Sequence, residues 1–274
     1  MRAHFVATDI SAMSRSASRP PIVLTFAASD PTGGAGLQAD VLTIAAMGCH
    51  PLSVLTGFTS QDTRGVQALH ALEARHVAEQ ARTLLADVRV DAFKLGVLGS
   101  AANAAAVAAV LSDFPDVPVV CDPVLASGRG DPLADEHAIA ALRERILPQS
   151  TVVTPNGIEA RRLAGETDLG ACARGLLSMG CEYVLVTGGH EDSGEVINTL
   201  YDGGGAVRED RWPRLPGAYH GSGCTLASAL AAALASGASV PEAARDAQEF
   251  TWQSLAAAFA AGGGQLIPNR FVQQ

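Results

Sequence analysis

Short, nearly continuous apolar runs alternate along this chain with stretches whose apolar residues recur at helical spacing. Pro21–Ala27 is such a run, as expected of a strand buried on both faces. A turn at Ser29–Gly34 leads to a helix predicted from about Ala35 to Met47, stopped by Gly48. Further strands are predicted at 54–59, 93–97, 118–121, 151–154, 183–187 and 196–201. Helical spacing predicts helices at about 73–88, 101–112, 134–146, 157–163, 168–179, 223–236 and 241–261. Strand and helix alternating this regularly predict an α/β fold, a mainly parallel central sheet with helices on both faces.

No linker, low-complexity block or repeat divides residues 21–274, which read as one domain. Residues 1–20 are small and polar, expected to be a disordered tail or an early start relative to Met13. In such folds ligands gather at the carboxyl ends of the strands. The polar groups just after strands should therefore converge: Asp30, Gln61, Asp122, Asn156, Glu159 and Gly188-Gly189-His190, with Lys94 pointing toward them.

Composition narrows the function. With 48% hydrophobic and 17% charged residues the chain is globular with a large core, and a net charge of −9 argues against nucleic-acid or membrane-surface partners. No apolar segment reaches spanning length. Five widely spaced cysteines without a CxxC pair fit reduced thiols in the cytoplasm. Only one of 19 basic residues, Lys94, is lysine, so any phosphate held elsewhere needs arginine, backbone amides or a metal.

His220-Gly221-Ser222-Gly223-Cys224-Thr225-Leu226 reads as a glycine turn opening into a long apolar helix. A helix N-terminus carries unpaired donors and a positive dipole end, suiting it to an anion, and lowers the pKa of a thiol placed there. The plainer reading is a helix start, capped by Ser222 or Thr225, with a buried cysteine. Gly34-Ala35-Gly36-Leu37-Gln38-Ala39 formally matches a dinucleotide fingerprint, but the turn begins too late and the acidic strand end is missing. There is no P-loop.

Asn156 and Glu159, in Thr154-Pro155-Asn156-Gly157-Ile158-Glu159, form either a capping box or an Mg²⁺-organising pair, and both can hold at once. Asp122 is a second metal contributor or a cap for the loop after it. His190 and His220 are better placed to shape turns than to act as bases, and His50, His70, His76 and His137 look like surface residues.

Four segments together carry a resemblance. Ala28–Asp40, Gln61–Val66, Thr154–Glu159 and His220–Leu226 resemble, in order and at compatible spacing, the signatures of the hydroxymethylpyrimidine/phosphomethylpyrimidine kinases of thiamine biosynthesis, within the ribokinase-like superfamily. Lys94-Leu95-Gly96 and Gly188-Gly189-His190 fit as well. The resemblance implies a ribokinase-like fold and Mg²⁺- and ATP-dependent phosphorylation of a pyrimidine alcohol, then of its monophosphate. It implies a cytoplasmic homodimer. It places Gly36, Asp40, Gln61 and Val97 in the substrate pocket, and Asn156, Thr187, Gly188 and Gly189 at the nucleotide. Glu159 and Asp122 would serve the metal, Gly221, Ser222 and Gly223 the anion hole, and Cys224 the proton transfer. Thr187 replaces a lysine common in the family, Val97 a methionine, and the ending from Gly262 differs, which leaves pyridoxal kinase as an alternative. A binding protein that kept the fold is a third reading.

Overall fold

In the computed structural model, which describes residues 19–272, the first apolar run becomes β1 (Ile22–Ser29), whose inner six residues are buried. The tail expected at 1–20 lies outside the described residues as far as 18. Arg19 is already tied to the domain through Asp91, at 2.9 Å.

Among the described residues the sheet has nine strands. After β1 come β2 (His50–Asp62), β3 (Gly65–Ala71), β4 (Ala92–Leu95), β5 (Val119–Cys121), β6 (Val152–Val153), β7 (Tyr183–Val186), β8 (Glu195–Asp202) and β9 (Gly205–Pro213). Their order is β3-β2-β1-β4-β5-β6-β7-β8-β9. The strands from β2 to β7 in that order pair in parallel, whereas β3, β8 and β9 are antiparallel additions at the two edges.

Side chains alternate across the sheet with the period of two that extended backbone imposes. Leu24, Phe26, Phe93, Leu95, Val119, Cys121 and Val153 face one core. It is closed by α2 (Ala74–Leu85), α3 (Ala101–Leu111), α4 (Glu136–Ala141), α5 (Gly157–Ala164) and α6 (Leu169–Leu177). Val23, Ala92, Val120 and Val152 face the other, closed by α1 (Gly36–Ala46), α7 (Ser222–Ala235) and α8 (Val240–Ala256). Each large apolar side chain fully buried this way contributes about 1.5–3 kcal/mol. The alanine-rich α7 is buried without a break from Thr225 to Ala233, as a helix apolar on all sides must be. Its small side chains let it lie across β1, β4 and β5 between α1 and α8.

The strand order reverses at β1, with β2 on one side and β4 on the other. A crevice opens at such a switch point beyond the carboxyl ends of the strands. Three local features differ from the sequence expectation. Strands β3 and β9 were not predicted, because edge strands with solvated faces lack a buried apolar run. The helix expected over 134–146 is α-helical only to Ala141, then widens into a π turn at Leu142–Ile146 and tightens at Leu147–Gln149, where Pro148 lacks an amide to continue the ladder. The last helix ends at Ala256, and the chain after it folds back, pairing Phe259 with Ile267 and Tyr219 with Leu266. Among the described residues no helix is long and apolar enough to cross a membrane, and all five cysteines are free thiols.

Candidate active site

The polar groups at the strand ends do converge. Asp30, Gln61, Asp122, Asn156, Glu159, Gly189 and His190 line one cleft of about 440 Å³, together with Gly36, Val97, Thr187 and the Gly221–Cys224 turn. A larger hollow of about 730 Å³ lies at the opposite end of the sheet, among residues 85–91 and 113–118, and holds none of these groups.

The turn is set by backbone contacts. Gly221 takes a left-handed conformation (φ 77°), and a Cβ there would run into the Gly34 carbonyl, so glycine is required on both counts. No side chain caps α7. The expectation that Ser222 or Thr225 caps it is therefore not met: the Thr225 hydroxyl donates back to the Gly221 carbonyl at 2.9 Å. By contrast α3, α4, α5 and α6 are capped by Ser100, Asp135, Asn156 and Asp168. The first amides of α7 face the cleft without such a partner, which leaves them for an anion.

Across from it, the Asp30 carboxylate organises the turn after β1. It accepts from the Thr32 amide at 2.8 Å, the Ala35 amide at 2.7 Å and His220 Nε2 at 2.8 Å. Burial works against its charge, but the hydrogen bond from His220, with those from Thr32, Gln61 and Ala35, outweighs burial and holds the pKa at about 2. His220 is thus the turn-stabilising residue expected. His190 is exposed, as are His50, His70, His76 and His137.

A folded-state pKa depressed from 3.8 to about 2 is worth about 2 kcal/mol. That stabilisation is complete above the unfolded value near pH 4 and is lost as pH falls toward 2. Urea unfolding between pH 2 and 7 should show this acid-limb slope in the wild type and a flatter limb in Asp30→Asn, with lower stability at neutral pH.

Cys224 stands in the first turn of α7, near the Gly36 amide and the Asp122 carboxyl. The sequence predicts a lowered thiol pKa here, and the structure shows the reverse. Burial, only partly offset by Lys94 and reinforced by the Asp122 and Asp40 carboxylates, pushes it up to about 12. Asp122 and Glu159 also titrate upward, chiefly through burial, with Lys94 opposing the shift at Asp122 and the Asp122 charge adding to it at Glu159. Asp122 Oδ2 is buried with no hydrogen-bond partner. A buried orphan acceptor beside a second reluctant carboxylate is a pair a divalent cation would relieve.

The capping box at α5 is present. Asn156 Oδ1 accepts from the Ile158 and Glu159 amides at 2.9 and 3.0 Å, and Glu159 Oε2 accepts from the Asn156 amide at 3.0 Å. The Leu125 amide reaches Glu159 Oε1 at 3.4 Å. A carboxylate has about four lone-pair sites, so capping does not exhaust Glu159. No cluster of three or more metal-ligating side chains occurs among the described residues, so a metal here would keep most of its ligands as water or phosphate oxygen.

Two residues assigned by resemblance sit elsewhere. Asp40 does not line the cleft. It is fully buried beneath it, bonded to Lys94 Nζ at 2.7 Å, Thr25 Oγ1 at 2.6 Å and Ser228 Oγ at 2.8 Å. Lys94 faces Asp40 rather than the cleft. Gly188 is turned away as well, its amide bonded to Asn198 Oδ1 at 3.0 Å and a would-be Cβ meeting the Ile197 carbonyl.

Several cleft residues were not anticipated from the sequence. Arg214, just past β9, donates to the carbonyls of Gly189, Glu191 and Ser193 at 2.9, 2.9 and 2.8 Å, bringing a cation to the loop where Thr187 supplies none. Trp212 and Trp252 stack at 6.2 Å and wall the same end. No spacing or motif announced them, since an edge strand and the late turns of a helix supply them.

Solved structures locate this geometry among known folds. The chain superposes on the ADP complex of Bacillus subtilis pyridoxal kinase with a TM-score of 0.82 at 30% identity, over 92% of this chain and 97% of that one. It superposes on phosphomethylpyrimidine kinase from Clostridium difficile with a TM-score of 0.75 at 29% identity, over 86% and 99%. Both are small-molecule kinases, and an uncapped helix start facing buried carboxylates across the switch point makes this chain a ribokinase-like phosphotransferase. Residues 30–269 match the family model "Phosphomethylpyrimidine kinase". The hydroxymethylpyrimidine/phosphomethylpyrimidine kinase of Streptomyces coelicolor is 44% identical over 89% of this chain and 92% of its own length. The chain belongs to the phosphomethylpyrimidine kinase family.

Proposed function

We propose that this protein transfers the γ-phosphoryl group of ATP to the hydroxymethyl oxygen of 4-amino-5-hydroxymethyl-2-methylpyrimidine, and then phosphorylates the monophosphate, in thiamine biosynthesis. The observation that carries the reading is the uncapped α7 turn with Cys224 beside it, opening on the same cleft as Gln61 and Val97. Phosphoryl transfer requires positioning and charge stabilisation more than covalent help.

The amides at the start of α7 receive the charge that develops on the transferred group. Gln61 presents an amide to the ring's amino group and nitrogens, and Gly36 and Val97 wall the ring. Asn156, Thr187 and Gly189 face the nucleotide, with Arg214 countering phosphate charge in the absence of a lysine. Mg²⁺ carried with ATP would be held by Asp122 and Glu159, and supplies neutralisation of phosphate charge. Cys224 accepts the proton of the hydroxymethyl group, and Asp122, which opposes its thiolate while charged, is the residue whose neutralisation makes that easier. Asp40 and Lys94 support this floor from below.

Mass analysis of the product from the pyrimidine alcohol, Mg²⁺ and ATP tests the reading. Successive gains of one and two phosphates are expected, and an unchanged alcohol would overturn it. The fold similarity to pyridoxal kinases gives a second reading, and pyridoxal run in parallel separates the two. A homodimer in the cytoplasm, as the resemblance implies, belongs to the same proposal.

A further inference from the structure

The chain does not end at α8. Residues beyond it cross back over the site: the Gln265 amide donates to the Thr63 carbonyl at 2.8 Å, the Leu266 amide to the Ala218 carbonyl at 2.9 Å, and the His220 amide to the Leu266 carbonyl at 2.8 Å. This segment delivers Arg270 into the protein, where it is only 3% exposed. Its guanidinium donates from Nη2 to the Gly34 carbonyl at 2.6 Å, from Nη1 to the Gly33 carbonyl at 3.4 Å, and from Nε to Thr225 Oγ1 at 3.1 Å. Burying a guanidinium is costly unless its donors are used, and here they bridge two pieces of the site. One is the turn organised by Asp30, and the other is the first turn of α7. Gly34 and Gly221 are themselves in backbone contact, so the position of one sets the other. The family match stops at residue 269, one position short of this arginine.

We propose that Arg270 is a positioning residue for phosphoryl transfer, its planar fork locking the Gly33-Gly34 turn to Thr225 so that the α7 amides meet the transferred group. The proposal rests on the kinase reading above. It requires no contact with substrate, since Arg270 does not line the cleft. A fixed fork suits the role because an ammonium cannot span a hydroxyl and a carbonyl on separate segments with parallel donors.

The test compares wild type, Arg270→Ala and Arg270→Lys, each first checked for folding by thermal melting. Two readouts are taken. One is kcat and KM with the alcohol phosphorylated by the wild type. The other needs no alcohol: the gain in affinity for ADP when aluminium fluoride is added as a stand-in for the transferred phosphoryl. Arg270→Ala should lose 10- to 100-fold in kcat with KM within threefold, and at least tenfold of the fluoride-dependent gain with ADP affinity unchanged. Arg270→Lys should fall between, and it carries the test if the alanine variant does not fold. A kcat within twofold of wild type, a fluoride gain that is unchanged, or a loss shared equally by ADP affinity would overturn the proposal. If the wild type phosphorylates neither pyrimidine nor pyridoxal, the kinase reading fails visibly by itself, and the fluoride measurement still decides what Arg270 does.

Discussion

Cys224→Ser is expected to lower kcat by about 10²- to 10³-fold, within the range that a positioned proton acceptor contributes, while KM for the alcohol changes little. The sulfur lies near the Gly36 amide and the Asp122 carboxyl, and a hydroxyl fits the same space. What it loses is acidity, because a serine hydroxyl is a far weaker acid than even a thiol pushed up to about 12. That raised value also makes a pH statement. Between pH 7 and 9 the thiolate is a minor fraction that grows tenfold per pH unit, so wild-type kcat should climb through this range instead of levelling near neutrality. The serine variant should show a flat profile. Steady-state rates against pH decide the matter, and near-normal turnover by the serine variant would remove Cys224 from the proton-accepting role.

The parallel sheet and the strand-end groups were legible because each buried strand is a continuous apolar run and each such group follows one directly. Asp30, Gln61, Asp122, Asn156 and Glu159 were all placed at the cleft on that rule alone. What the rule misses is direction and depth. Asp40 and Lys94 lie at the right level of the sheet but point at each other under the floor, because two opposite charges in an apolar interior are held only by pairing. The thiol was misread for a similar reason: a helix dipole is worth a fraction of a charge, whereas burial beside two carboxylates acts on the whole charge. Arg270 and Arg214 could not be read at all. Their partners are mostly backbone carbonyls far away in sequence, which leave no trace in the residue letters, and for Arg270 also the distant Thr225 hydroxyl.

The buried pair makes the strongest stability prediction. Lys94 and Asp40 are both completely buried, 2.7 Å apart, and the lysine is held charged despite burial by Asp40 and by the nearby Asp122. Removing one partner of such a pair leaves a charge with no compensation and typically costs about 3–5 kcal/mol. Lys94→Met should therefore lower the urea-unfolding free energy by about that much, a large share of the 5–15 kcal/mol typical of a folded domain. Adding Asp40→Asn should recover part of the loss, since it removes the uncompensated charge and its single amide oxygen still accepts from one of the two hydroxyls, Thr25 or Ser228, that bond separate carboxylate oxygens. A double-mutant cycle isolates the pair from its neighbours. If Lys94→Met costs under about 1 kcal/mol, the ion pair is not what holds the floor of the cleft in place.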